Sequence, residues 1–132
     1  MRALRALVAS LAAAALFACS PESEVARFRV SGSDLGRGII EADAVAETVC
    51  YEAYVPGMKA AHLMDRSAAG RPTVVLTFFD PKRPYDPADP CVRDVDPTLI
   101  QALIDHPDHY FVDLHREESV PAIELRIAPV DS

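Results

Sequence analysis

The stretch that most constrains this chain runs from Val49 to Asp65. Val49 to Val55 alternates with a period of two, placing Val49, Tyr51, Ala53 and Val55 on one face and Cys50, Glu52 and Tyr54 on the other. Pro56-Gly57 is a turn signal. Lys59 to Asp65 then alternates again, with Ala61 and Leu63 on one face and His62 and Met64 on the other. A helix would scatter such a pattern around its cylinder. The stretch therefore predicts two strands around a tight turn, one offering a cysteine and the other a histidine to partners further along the chain.

The flanking segments extend the same reading. Val25 to Ser31 predicts a first strand and Ile39 to Ala46 a weakly patterned second one. Thr73 to Phe79 is rich in β-branched and aromatic residues and predicts a buried strand. Asp80 to Asp96 contains Asp80-Pro81, Asp86-Pro87 and Asp89-Pro90, which exclude a helix interior or a central strand. Asp96-Pro97-Thr98 has the form of a helix start, with Asp96 as N-cap and proline in the first turn. Leu99, Ile100, Leu103 and Ile104 give that helix an apolar face, and Pro107 stops it. His109 to Arg116 predicts a strand with Tyr110, Val112 and Leu114 on one face and Phe111, Asp113 and His115 on the other. Val120 to Ala128 predicts the last strand, with Ile123, Leu125 and Ile127 inward. The expected class is all-β: a Greek-key, immunoglobulin-like β-sandwich with one short helix before the penultimate strand.

The N-terminus reads as an address. Met1 to Arg5 carries two arginines, and Ala6 to Ala18 is an uncharged, almost wholly apolar run. It has the length of a signal-peptide core and is short for a bilayer span. It ends in Leu16-Phe17-Ala18-Cys19, which resembles the bacterial lipobox. That resemblance implies a diacylglycerol on the Cys19 thiol, cleavage before it, and acylation of the new N-terminus. Each buried methylene contributes about 0.8 kcal/mol, so several chains hold where one would not. The expected organisation is a lipoprotein signal peptide over 1–18, a lipidated tether over 19–24, and one domain over 25–130. The expected location is the cell envelope, with the chain held on the lipid bilayer through Cys19. Ser20 follows the cysteine, and in a diderm organism that convention favours the outer membrane, facing the periplasm or the exterior.

With Cys19 lipidated, Cys50 and Cys91 remain, and an exported chain with two cysteines left over predicts a disulfide between them. Neither a Cys-x-x-Cys redox motif nor zinc-finger spacing is present. The formal charge of −7 argues against nucleic acid as a partner and against electrostatic docking on anionic lipid.

The order of these parts carries a resemblance. Val49-Cys50-Tyr51, Ala61-His62-Leu63-Met64, Thr73 to Leu76, the loop with Cys91, the helix Leu99 to Ile104, His106-Pro107-Asp108-His109-Tyr110-Phe111-Val112-Asp113-Leu114-His115, and Val120 to Ile127 succeed one another. This series resembles the chordin-type (CHRD) domain of bacterial exported proteins, over roughly residues 26 to 127. That family shows Ala-His-Ile-His, then Tyr-Tyr-Val-Asn-Val-His, then Gly-Ala-Ile-Arg-Gly-Gln-Leu. Here Met64 stands at the second histidine, Asp113 at the asparagine and Glu124 near the arginine. The resemblance implies no settled activity for bacterial members.

Four side chains form the sharpest constellation. His62 with Met64, and Asp113 with His115, each project from one face of a strand at i, i+2 spacing. Imidazole with thioether suits copper, and imidazole with carboxylate suits zinc. The ordinary alternative is hydrogen-bonded structural histidines with Met64 as packing. Asp80, Asp86, Asp89, Asp94 and Asp96 supply oxygens enough for calcium but match no EF-hand spacing, and Asp before Pro is ordinary turn chemistry. His106 and His109 at the helix end complement the helix dipole. No Gly-x-Ser-x-Gly or phosphate loop is present. The expected function is a membrane-anchored extracytoplasmic binding or structural module without catalysis or cofactor, whose partner is an envelope or extracellular protein. The alternative is a copper- or zinc-binding protein using His62, Met64 and His115.

Overall fold

A computed structural model describes residues 25–32, 37–54, 57–116 and 122–130. The residues expected to form the signal peptide, Cys19 and the expected tether lie outside the described residues. Within them the chain is all-β with one short helix. The strands are β1 (Val25–Ser31), β2 (Arg37–Asp43), β3 (Thr48–Tyr54), β4 (Ala60–Asp65), β5 (Thr73–Phe79), β6 (Cys91–Val92), β7 (Tyr110–His115) and β8 (Ile123–Pro129). The helix α1 (Pro97–Asp105) precedes β7 and is joined to it by the 3-10 turn Pro107–His109.

All eight strands hydrogen-bond into one sheet, in the order β5-β4-β7-β8-β1-β2-β3-β6, with every neighbouring pair antiparallel. The sheet curls until its two ends approach. The Tyr51 ring of β3 packs 4.9 Å from the Phe78 ring of β5, and the Tyr51 N–H donates to Pro90 O at 2.9 Å. The Asp-Pro loop fills this seam. Tyr85 packs 5.2 Å from Phe79, and its hydroxyl accepts from the Ala53 N–H. Alternate residues of the strands point inward: Val49, Leu63, Val112, Leu114, Leu125 and Ile127, from the patterned stretches, are buried in one core with Phe28, Val30, Ile40 and Ala42. α1 starts as expected, with the Asp96 carboxylate accepting from the Thr98 N–H, and adds Ile100 and Leu103 to that core.

Several expectations are corrected. β3 and β4 are not a hairpin. β3 is flanked by β2 and β6, while β4 lies between β5 and β7. β3 ends at Tyr54 and β4 begins at Ala60 in a different part of the sheet. Gly57 takes φ +81°, which favours glycine. The second strand stops at Asp43, not Ala46, because the Asp43 carboxylate accepts from the Val45 and Ala46 N–H groups and closes a turn. β5 is an edge strand, buried only at Phe78 and Phe79, with Val74 54% exposed. β6 was hidden in the proline-rich loop, where proline density argued against pairing.

The Cys50–Cys91 disulfide is formed, between residues directly opposite in the β3–β6 ladder. The loop aspartates serve the loop itself. Asp80 accepts from Lys82 and Arg83 N–H groups, Asp86 accepts from the Ala88 N–H, and Asp89 pairs with Arg93 at 2.9 Å. Among the described residues the metal-capable clusters lie elsewhere.

Tyr51 carries a testable cost. Its hydroxyl is buried without a hydrogen-bond partner, and burial, reinforced by Tyr85, pushes its pKa well above the ordinary tyrosine value. A folded pKa above the unfolded value of about 10 leaves stability intact below that pH and erodes it as pH rises further. Tyr51→Phe should hold or raise stability at pH 7, by up to about 1–3 kcal/mol for removal of an unsatisfied group. It should also flatten the loss between pH 9 and 11. Urea midpoints at the two pH values check both, and a variant that loses stability at pH 7 would contradict the reading.

Candidate metal centre

Side chains of a strand alternate between the two faces of the sheet. In β4, Ala61 and Leu63 point into the core and His62 points out. In β7, Val112 and Leu114 point in, and Asp113 and His115 point out. The register then decides what meets. β4 and β7 are antiparallel neighbours, with His62 directly opposite Asp113 and Ala60 opposite His115. The small side chain of Ala60 places no bulk beside His115. Residues directly opposite in such a ladder have Cβ atoms about 5 Å apart, close enough for their side chains to share one ligand.

The three side chains converge. The His62 and His115 rings are 5.3 Å apart, edge to face. One donor atom from each of His62, Asp113 and His115 lies within 4.8 Å of the other two. All three residues are half-buried, and the Asp113 side chain is 16% exposed. His115 Nε2 lies 2.5 Å from Asp113 Oδ1. The contact is close but not directed as a hydrogen bond, since Asp113 Oδ1 has no hydrogen-bonded partner, and neither does His62 Nδ1. Buried polar atoms ordinarily find partners, so the unpartnered His62 Nδ1 beside the Asp113–His115 contact marks a place where a further body completes the set.

The electrostatics favour a ligating state. Burial lowers the pKa of His62 below the ordinary imidazole value. The Asp113 charge works against this, the His115 ring adds to it, and the Asp80 charge opposes it. His62 is therefore neutral at pH 7, the form in which imidazole binds metals. Two imidazoles and one carboxylate give the mixed nitrogen and oxygen donor set of zinc and related first-row cations. Three protein ligands also leave a coordination position open.

His62, Asp113 and His115 thus come together as the alternation implied. Met64 lies one step along β4, opposite Phe111 on one side and Val74 on the other. It is about 7 Å from His62 along the strand at the usual rise. The nitrogen and oxygen donors that converge, from His62, Asp113 and His115, are a set suited to zinc. The influence of Asp80 was not legible in the sequence. Thr77 pairs with His62 and Phe79 with Ala61, which brings the start of the Asp-Pro loop beside the cluster. Its only sequence signal was a carboxylate immediately after a strand.

No family model matches the chain, and neither does any curated protein or any solved structure.

Proposed function

We propose that this chain is a lipid-anchored extracytoplasmic protein that binds a zinc-type divalent cation at His62, Asp113 and His115. The observation that carries the reading is the convergence of two imidazoles and a carboxylate beside the buried, unpartnered His62 Nδ1. The envelope location rests on the apolar N-terminal run, the Leu-Phe-Ala-Cys sequence and the disulfide-forming cysteines. The kinship to the CHRD class, and to the Greek-key sandwich, rests on the order of motifs and on the β3–β4 and β5–β6 connections between strands that are not neighbours in the sheet. The site is read as one that binds the ion.

Zinc titration of the metal-free protein tests this. Saturation at a hundredfold excess over Kd should stabilise the fold by about 2.7 kcal/mol. His115→Ala should weaken binding by at least roughly 100-fold, the upper end of what losing an outer-shell partner alone costs. Affinity should fall with decreasing pH as the imidazoles take up protons. Unchanged melting with zinc and with Cu2+ would sink the proposal.

A further inference from the structure

The chain has four histidines, and the second pair forms a cluster of its own. His106 caps the C-terminus of α1, and the 3-10 turn Pro107–His109 follows at once. The His106 N–H donates to Ala102 O and the His109 N–H to His106 O, so the backbone between the two rings is fixed. The rings lie nearly parallel, 4.8 Å apart with an interplanar angle of 11°. One donor atom each from His106, Asp108 and His109 lies within 4.8 Å of the others.

Neighbouring charged groups leave this set available. Asp105 accepts from Gln101, and Arg66 pairs with Glu124 and lies over the Phe111 ring. The Asp65 carboxylate accepts from the Ser67 N–H and feels the His109 charge. Among the described residues no hydrogen bond or ion pair engages the side chains of His106, Asp108 or His109; the two rings stack on each other, and the Asp65 carboxylate lies near His109. The carbonyls at the end of α1 carry partial negative charge, which favours a cation there.

We propose that His106, Asp108 and His109 form a second, solvent-facing site for an imidazole-seeking divalent cation such as Ni2+, Cu2+ or Zn2+. The turn holds the two imidazoles side by side, one ring rotating out of the stack lets a nitrogen of each meet one ion, and Asp108 supplies the anionic oxygen. His106 and Asp108 are exposed, so their donors remain hydrated until an ion arrives, and the ion is held more weakly and exchanges faster than at the half-buried centre. The two sites are independent. His109 ends the turn that enters β7 and His115 ends β7, six residues and about 20 Å further on at the usual rise, with the Met64–Phe111 pair between them. The chain therefore displays a surface capture site before β7 and a half-buried holding site between β4 and the end of β7.

Ni2+ is the probe, because it binds imidazole without oxidising thiols. Equilibrium dialysis of the full-length chain in detergent should show two classes of site. His106→Ala/His109→Ala should remove the weaker class, with at least a tenfold loss of its affinity, and leave the tighter class and the melting temperature unchanged. His62→Ala/His115→Ala should do the reverse, so failure of the central site and failure of this one are separately visible. Substoichiometric Ni2+ should broaden the His106 and His109 imidazole resonances in the His62→Ala/His115→Ala chain. Unaltered Ni2+ binding in the His106→Ala/His109→Ala chain, or broadening that spares both rings, would overturn the proposal.

Discussion

Replacing Cys50 and Cys91 together by alanine should lower stability by about 4 kcal/mol, the chain-entropy cost of releasing a loop of this length. The two residues are 41 apart in sequence. Their bridge closes the path that leaves β3, forms the β4–β5 hairpin and returns through the Asp-Pro loop. Little else holds that return. β6 is two residues long and pairs only through Val49–Val92 and Cys50–Cys91. Arg83 donates to Cys91 O, the Tyr51 N–H donates to Pro90 O, and the Val95 N–H donates to Glu47 O. Without the covalent link these bonds must hold a proline-stiffened loop against its own freedom, and the packing of Tyr51 on Phe78 depends on their success. Urea unfolding of the oxidised protein and of the double variant measures the difference. A change under about 1 kcal/mol would mean that the loop is held in place in the unfolded ensemble as well, or that β6 contributes little.

The second large effect separates binding from folding at one residue. Asp113→Asn keeps the shape of the side chain but removes its charge. At pH 8, where imidazoles are neutral, the metal-free variant should be at least as stable as the parent, since it no longer holds a carboxylate in a half-buried place without a hydrogen bond to Oδ1. Its response to zinc should nearly vanish. At a zinc concentration that stabilises the parent by about 2.7 kcal/mol, a 100-fold weaker site gives about 0.4 kcal/mol. Thermal melts with chelator and with zinc check both halves. A metal-free variant markedly less stable than the parent would show that Asp113 serves the fold by pairing with His115. A preserved zinc response would show that the carboxylate is no ligand.

The local pieces of both arguments could be read along the chain. The period of two in Val49–Val55 and Tyr110–His115 gave the strand faces, because a strand exposes alternate residues whatever it pairs with. Asp96 before Pro97 gave the helix start, because its side chain answers an N–H two residues on. The disulfide followed from two cysteines left over once Cys19 was set aside. The errors have one origin. A turn signal at Pro56-Gly57 shows that a strand ends, not which strand comes beside it. Ala44-Val45-Ala46 looked like more strand, but an aspartate just before them offered the backbone a closer partner. Proline marked the Asp80–Asp96 loop as unpaired, yet two residues between prolines were enough to meet β3.

The candidate centre divides in the same way. Sequence alone determined that His62 leaves one face of its strand and that Asp113 and His115 leave one face of theirs, since alternation is a local property of extended backbone. It also determined the donor types and hence the class of ion they suit. Only the tertiary structure decided that β4 and β7 are neighbours, that His62 faces Asp113, and that Met64 faces Phe111. Those facts depend on how an eight-stranded sheet closes around its core, a balance of contacts between residues far apart in sequence. A shift of one residue in register would have turned every side chain of a strand to the other face and left the three donors apart.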